Sequence, residues 1–169
     1  NTCKRGGGKV FPTERIKEIK DVCTSHQLQL HLDGARIFNA LSATNSQPQA
    51  IGKYFDTISV CLSKGLGAPI GSVLLGNSAT ISKARKVRKS LGGGMRQAGT
   101  IAAAGIYALE NNINRLKDDH SLAKDLQQVL NNSNLVSSVL PVETNIVVFE
   151  LARKVNIKEF INHLKRNEI

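Results

Sequence analysis

The run Leu28-Gln29-Leu30-His31-Leu32-Asp33 alternates apolar and polar side chains at every step. A period of two marks a strand with one face on a core, and Asp33 stands at its carboxyl end. A second strand reads at Thr57-Ile58-Ser59-Val60-Cys61-Leu62, β-branched and almost continuous, and ends at Ser63-Lys64-Gly65. Ser72-Val73-Leu74-Leu75, between Gly71 and Gly76, is a third. Helical periods surround these strands. Pro12-Thr13 starts a helix with Ile16, Ile19, Val22 and Cys23 on one face, and a short helix begins at Ile37, ahead of a polar loop from Thr44 to Gln49. After the third strand come a basic helix, Ile81 to Ser90, and then Gln97 to Glu110, nearly free of charge and so expected to be buried. Arg115 to Leu130 is amphipathic, Pro141 precedes a strand from Asn145 to Leu151, and Asn156 to Ile169 carries Ile157, Phe160, Ile161 and Leu164 on one helical face. Such alternation restricts the chain to an α/β fold. In open α/β sheets ligands bind outside the carboxyl ends of strands, where Asp33 and Lys64 both lie.

The 169 residues make one ordinary domain, or one domain and part of another. With 41% hydrophobic and 21% charged residues, wholesale disorder is excluded. No apolar run reaches the ~20 residues that cross a bilayer, and no charged-then-apolar leader is visible. Cys3, Cys23 and Cys61 are odd in number, far apart and form no CxxC pair, so neither a disulfide framework nor a metal site is expected. A reducing, cytoplasmic setting fits that usage. Both ends read as cut: Asn1-Thr2-Cys3 runs at once into Gly6-Gly7-Gly8, and the last helix has neither a cap signal nor a following element. The net charge of +10 leaves two classes, a nucleic-acid-binding module or an enzyme that handles phosphate or carboxylate groups. Aromatics are 4% and Trp is absent, so platforms for stacking bases are scarce.

Two segments carry the chemistry. In Asp33-Gly34-Ala35-Arg36, an acid held by a strand end can point into a cleft with Arg36 in reach; an N-cap Asp and a surface Arg is the plainer alternative. In Ser63-Lys64-Gly65-Leu66-Gly67-Ala68-Pro69, a Lys closes an apolar strand inside a glycine-rich turn. Partial desolvation there would free the amine for Schiff-base chemistry, whereas a loop Lys in solvent would do nothing. The glycines match neither a Walker A loop nor GxGxxG, which argues against a nucleotide site. A strand-end Lys and a strand-end Asp on separate strands together suit pyridoxal phosphate: the amine binds its aldehyde, and the acid keeps its pyridine nitrogen protonated.

Three stretches in one order carry a family resemblance: His31-Leu32-Asp33-Gly34-Ala35-Arg36-Ile37-Phe38-Asn39-Ala40, then Ser59 to Ser72 around Lys64, then Arg88-Lys89-Ser90-Leu91-Gly92-Gly93-Gly94-Met95-Arg96-Gln97-Ala98-Gly99. The chain resembles the threonine aldolases, fold-type I pyridoxal-phosphate enzymes of the aspartate aminotransferase superfamily, over most of its length and more weakly after about Leu130. The resemblance implies the central part of that large domain over residues 1–118, its N-terminal portion missing, and the beginning of a small C-terminal α/β domain over 119–169. It implies Lys64 as the cofactor lysine, Asp33 as partner of the pyridine nitrogen and Arg36 as a contact to the phenolic oxygen. Lys89 and Arg96 match basic positions near the active site; a solvated basic helix would explain both equally well. The opening Cys3-Lys4-Arg5 departs from the family, which tends to have His and Asn there.

The implied activity is retro-aldol cleavage of L-threonine or L-allo-threonine to glycine and acetaldehyde, in a homodimer or homotetramer acting in amino-acid metabolism, with the chain too incomplete to act alone. It implies pyridoxal 5'-phosphate as cofactor, a small amino acid as substrate, and neither nucleic acid nor membrane as partner. Another fold-type I lyase, or a hydroxymethyltransferase-like enzyme, remains the alternative within the class, and a basic nucleic-acid-binding module the alternative outside it. His26, His31, His120 and His163 qualify as the base by residue type alone, and His31 shares the strand parity of Asp33.

Overall fold

Leu32 and Gly34 on one strand and Val60 on the next are buried, while His31 and Asp33 between them face out. This alternation fixes the centre of the fold. The computed structural model describes residues 6–169, so Cys3, Lys4 and Arg5 lie outside the described residues. Strand β1 (His31–Gly34) pairs in parallel with β2 (Thr57–Cys61), and β2 pairs antiparallel with β3 (Ser72–Gly76). The parallel step is bridged by helices α2 (Ile37–Thr44) and α3 (Pro48–Gly52), and α1 (Thr13–Ser25) leads into β1. Helices α4 (Ser78–Ser90), α5 (Gly99–Asn111) and α6 (Leu116–Asn131) follow. A two-stranded antiparallel ribbon, β4 (Val136–Val139) and β5 (Phe149–Leu151), and α7 (Ile157–Arg166) complete the chain.

One face of the three-stranded sheet carries the core. Leu32, Val60 and Leu62 meet Ile16 of α1, Ile37 and Leu41 of α2, Ile51 of α3, Ala108 of α5 and Leu116 of α6, with Leu66 and Ala68 from the loop after β2. Helix α6 presents Leu116, His120 and Ala123 inward, at the spacing of a single helical stripe.

Several elements differ from the sequence expectation. Strand β1 starts at His31 and not at Leu28, because its partner β2 starts at Thr57, opposite His31. Ahead of that pair, the Leu30 N–H is taken by the Asp56 carboxylate at 2.7 Å, and the Leu28 N–H closes the end of α1 on the Cys23 carbonyl. The loop expected from Thr44 to Gln49 contains the start of α3, nucleated by Pro48 at its first position. Strand β4 was not expected; its Val-Ser-Ser-Val sequence has no clear alternation, and a bulge interrupts it. Strand β5 is shorter than Asn145–Leu151, since its ladder with β4 starts at the Val139–Phe149 pair; ahead of it the Thr144 hydroxyl donates to the Gly8 carbonyl at 2.6 Å.

Helix α5 is the largest correction. Its lack of charge suggested burial all round, yet only Gly105 and Ala108 are buried, Ala108 to 1% exposure, while Tyr107 is 63% exposed. A sheet of three strands offers it one face to pack on. Gly105 lies against Leu62 there, and nothing in the described chain covers Ile106 and Tyr107.

Candidate active site

Asp33 lies opposite Ser59 in the β1–β2 ladder, on the sheet face that His31 shares. Its Oδ1 accepts the Ala35 N–H at 3.1 Å, an Asx-type closure that steers the chain out of the strand. Gly34 is dictated by contact: a Cβ there would stand 2.6 Å from the Ser59 carbonyl oxygen. Removing that atom lets β1 carry Asp33 close against β2. Arg36, half-buried, caps the start of α2 three residues on.

Lys64 follows the end of β2 on a loop tied to the sheet at several points. The Leu62 N–H donates to the Gly71 carbonyl at 3.0 Å and the Ala68 N–H to the Leu62 carbonyl at 3.0 Å. Within the loop, the Gly67 N–H closes a turn on the Lys64 carbonyl at 2.8 Å, with Gly67 at a φ of +72° that favours glycine. Leu66 and Ala68 point into the core, and Asn112, at the end of α5, donates its amide to the Leu66 carbonyl at 2.7 Å. Lys64 is therefore an exposed side chain on a rigid backbone. With Lys64 exposed, the partial desolvation expected of it is not supplied by the described residues.

The two residues of the sharpest sequence hypothesis thus stand at the carboxyl ends of neighbouring parallel strands. Arg36 joins them through its closeness in sequence to Asp33. Lys89 and Arg96 belong to another segment, on and after α4, where both are exposed. Helix α4 packs against β3, and the turn after it folds back locally, the Gly92 and Gly93 N–H groups donating to the Lys89 and Arg88 carbonyls at 3.1 and 2.8 Å.

The histidines separate by position. His31 shares the face of Asp33, with Nδ1 2.8 Å from the Thr57 hydroxyl. His120 is buried, with Nε2 3.2 Å from Asn39 Nδ2. His26 closes α1 and His163 lies in the last turn of α7. Cys61, half-buried on β2, has two opposing influences: burial pushes its thiol up, but hydrogen bonds from Ser63, the Lys64 charge and the Ser72 hydroxyl bring it below the usual thiol value. Among the described residues no group of three or more His, Cys, Asp or Glu could hold a metal, and no helix is long and apolar enough to cross a membrane.

Sequence reasoning missed Asn39 and Asn112, which lie against the loop, and named His120 only as a base by residue type, not as the partner of Asn39. A signal existed for Asn39 alone, as the polar residue within the apolar run Ile37-Phe38-Asn39-Ala40-Leu41.

A sheet with an acid and a lysine at adjacent parallel strand ends, wrapped by helices, is the architecture of the fold-type I enzymes. The same fold is seen in a threonine aldolase structure from Leishmania major, at a TM-score of 0.73 and 20% identity, over 93% of this chain and 45% of that one. The chain belongs to the beta-eliminating lyase family, whose model matches residues 1–154. Within it, a low specificity L-threonine aldolase of Escherichia coli is 46% identical over 140 residues, 83% of this chain and 41% of the relative. A low-specificity L-threonine aldolase of Arabidopsis thaliana is 42% identical over 152 residues, 89% of this chain and 42% of the relative. The chain thus spans about two fifths of the length of these curated relatives. The resemblance to threonine aldolases read from the three stretches is borne out, and membership in a lyase family counts against the nucleic-acid-binding alternative.

Proposed function

We propose that this chain contributes the cofactor-binding centre of a pyridoxal-phosphate-dependent lyase that cleaves L-threonine or L-allo-threonine to glycine and acetaldehyde. The observation that carries the reading is the pairing of strand ends: Asp33 and Lys64 close two adjacent parallel strands, and Arg36 opens the helix between them. The donor set fits the ring of the cofactor. A carboxylate suits a protonated pyridine nitrogen, an amine suits an aldehyde, and a guanidinium suits a phenolic oxygen.

When bound, pyridoxal 5'-phosphate supplies a conjugated ring that takes up the electron pair of the breaking Cα–Cβ bond. Asp33 holds the proton on the ring nitrogen and so keeps that ring electron-poor. Lys64 would hold the cofactor through Nζ, the amine that suits its aldehyde. Arg36 would donate to the phenolic oxygen. Lys89 and Arg96 supply positive charge near the amino-acid substrate. Residues 1–118 form part of the large domain and 119–169 the beginning of the small one; α6 runs across that division and packs on both α2 and β4. A cytoplasmic homodimer or homotetramer working in threonine breakdown and glycine formation completes the reading; the names of the relatives support the reaction, and the uncovered face of α5 supports association.

The test is titration with pyridoxal 5'-phosphate, borohydride reduction and peptide mapping. A reduced adduct on Lys64, lost in Lys64→Ala, is the expected result. An adduct spread over many lysines, or one that survives Lys64→Ala at full yield, would refute the assignment.

A further inference from the structure

The turn that carries Lys64 rests on a buried amide. A Cβ placed on Gly65 would stand 3.1 Å from Asn39 Oδ1 and 3.1 Å from Leu116 Cδ2, so the backbone next to the lysine lies directly on these two side chains. Asn39 is 2% exposed and Leu116 1%. Asn39 belongs to α2, the helix that Arg36 opens, so one rigid element reaches from the Asp33 turn to the floor of the Lys64 turn.

The orientation of that amide is set from the other side. Asn39 Nδ2 lies 3.2 Å from His120 Nε2. An amide NH2 group only donates, so in this arrangement the ring nitrogen accepts. With Nδ2 committed to His120, Oδ1 is the atom turned to Gly65, and Nδ2 stands farther off, at 3.7 Å from the same Cβ position. Asn112 secures the far side of the turn through the Leu66 carbonyl.

We propose that Asn39 is a positioning residue for Lys64: oriented by His120, it supports the Lys64–Gly67 turn and fixes the backbone from which the lysine reaches the cofactor. This rests on the reading of Lys64 given above and adds how that lysine is aimed. Asn39 acts through backbone alone.

Hydrogen exchange of the Gly67 and Ala68 amides in the full chain, without cofactor, reads the turn directly. Asn39→Ala and His120→Leu are expected to speed exchange at both amides by roughly tenfold, while the β1–β2 ladder amides stay within about twofold. His120→Gln, whose side-chain oxygen can accept from Asn39, is expected to stay near wild type. In borohydride trapping, Asn39→Ala and His120→Leu should still label Lys64, at roughly tenfold higher cofactor concentration for half-maximal yield. Unchanged exchange at Gly67 and Ala68 in folded Asn39→Ala overturns the proposal, as does equal acceleration in His120→Gln and His120→Leu. Should Asn39→Ala fail to fold, the comparison of the two His120 variants decides alone. Failure of the wild-type chain to trap cofactor on Lys64 would refute the Lys64 reading and leave the exchange result to judge the Asn39 support.

Discussion

Asp56 shows how a single half-buried carboxylate can organise a strand entrance. It accepts from the Leu30 N–H at 2.7 Å and from Lys20 Nζ at 2.9 Å, and these partners hold its pKa below the ordinary carboxylate value. A depressed folded-state pKa means that the stabilisation is present above the unfolded value, about 4, and is lost as pH falls through the folded one. Thermal melts across that acid range should therefore decline less steeply for Asp56→Asn than for wild type; parallel declines would refute the role. Cys61 offers a second check. The Ser63 hydroxyl and the Lys64 charge favour its thiolate, so Ser63→Ala should move the midpoint of its alkylation, followed by mass spectrometry, to higher pH. Much of this scale was legible: Asp33, Arg36 and Lys64 could be picked out because their residue types are unusual where they fall. The pairing of His120 with Asn39 was not legible, because that contact joins residues 81 apart in sequence.

Between elements, the contact of α2 with α6 holds the underside of the Lys64 loop to the rest of the chain. Leu116 is its apolar centre, and Leu116→Ala should cost about 2–5 kcal/mol in chemical denaturation, the usual range for a cavity left in a packed core. The same contact has an acid limit. Burial lowers the His120 pKa, with a smaller opposing pull from Asp119, so this group stabilises the fold above its unfolded value near 6.5 and less as pH falls below it. His120→Gln should flatten stability between about pH 6.5 and 5 in melting experiments, and a wild-type curve already flat there would count against the assignment. At this scale, sequence period found α1, α4, α6 and the β1–β2 pair. It failed where partners set the limits: β1 begins where β2 begins, and α5 is exposed because the sheet beneath it is narrow.

Across the whole molecule, apolar surface is unevenly distributed. Ile106 and Tyr107 of α5 and Val73, Leu74 and Leu75 of β3 are exposed, whereas the core face is closed. Burial of such surface favours association, opposed here by the net charge of +10. Sedimentation equilibrium at moderate salt should give a mass above 18.3 kDa that falls in Tyr107→Glu; a monomer at every concentration would refute self-association. Strand direction has a different outcome. Because β2 runs with β1 but against β3, the lysine loop doubles as the reversal between two paired strands, its ends joined from Leu62 to Gly71. A slip of β3 by one residue against β2 would move Ser72 off Cys61 and turn every side chain of β3 to the opposite face. Loops that only cross the surface can lengthen with little penalty, whereas this segment is tethered midway, by Leu66 and Ala68 in the core, as well as at its two ends.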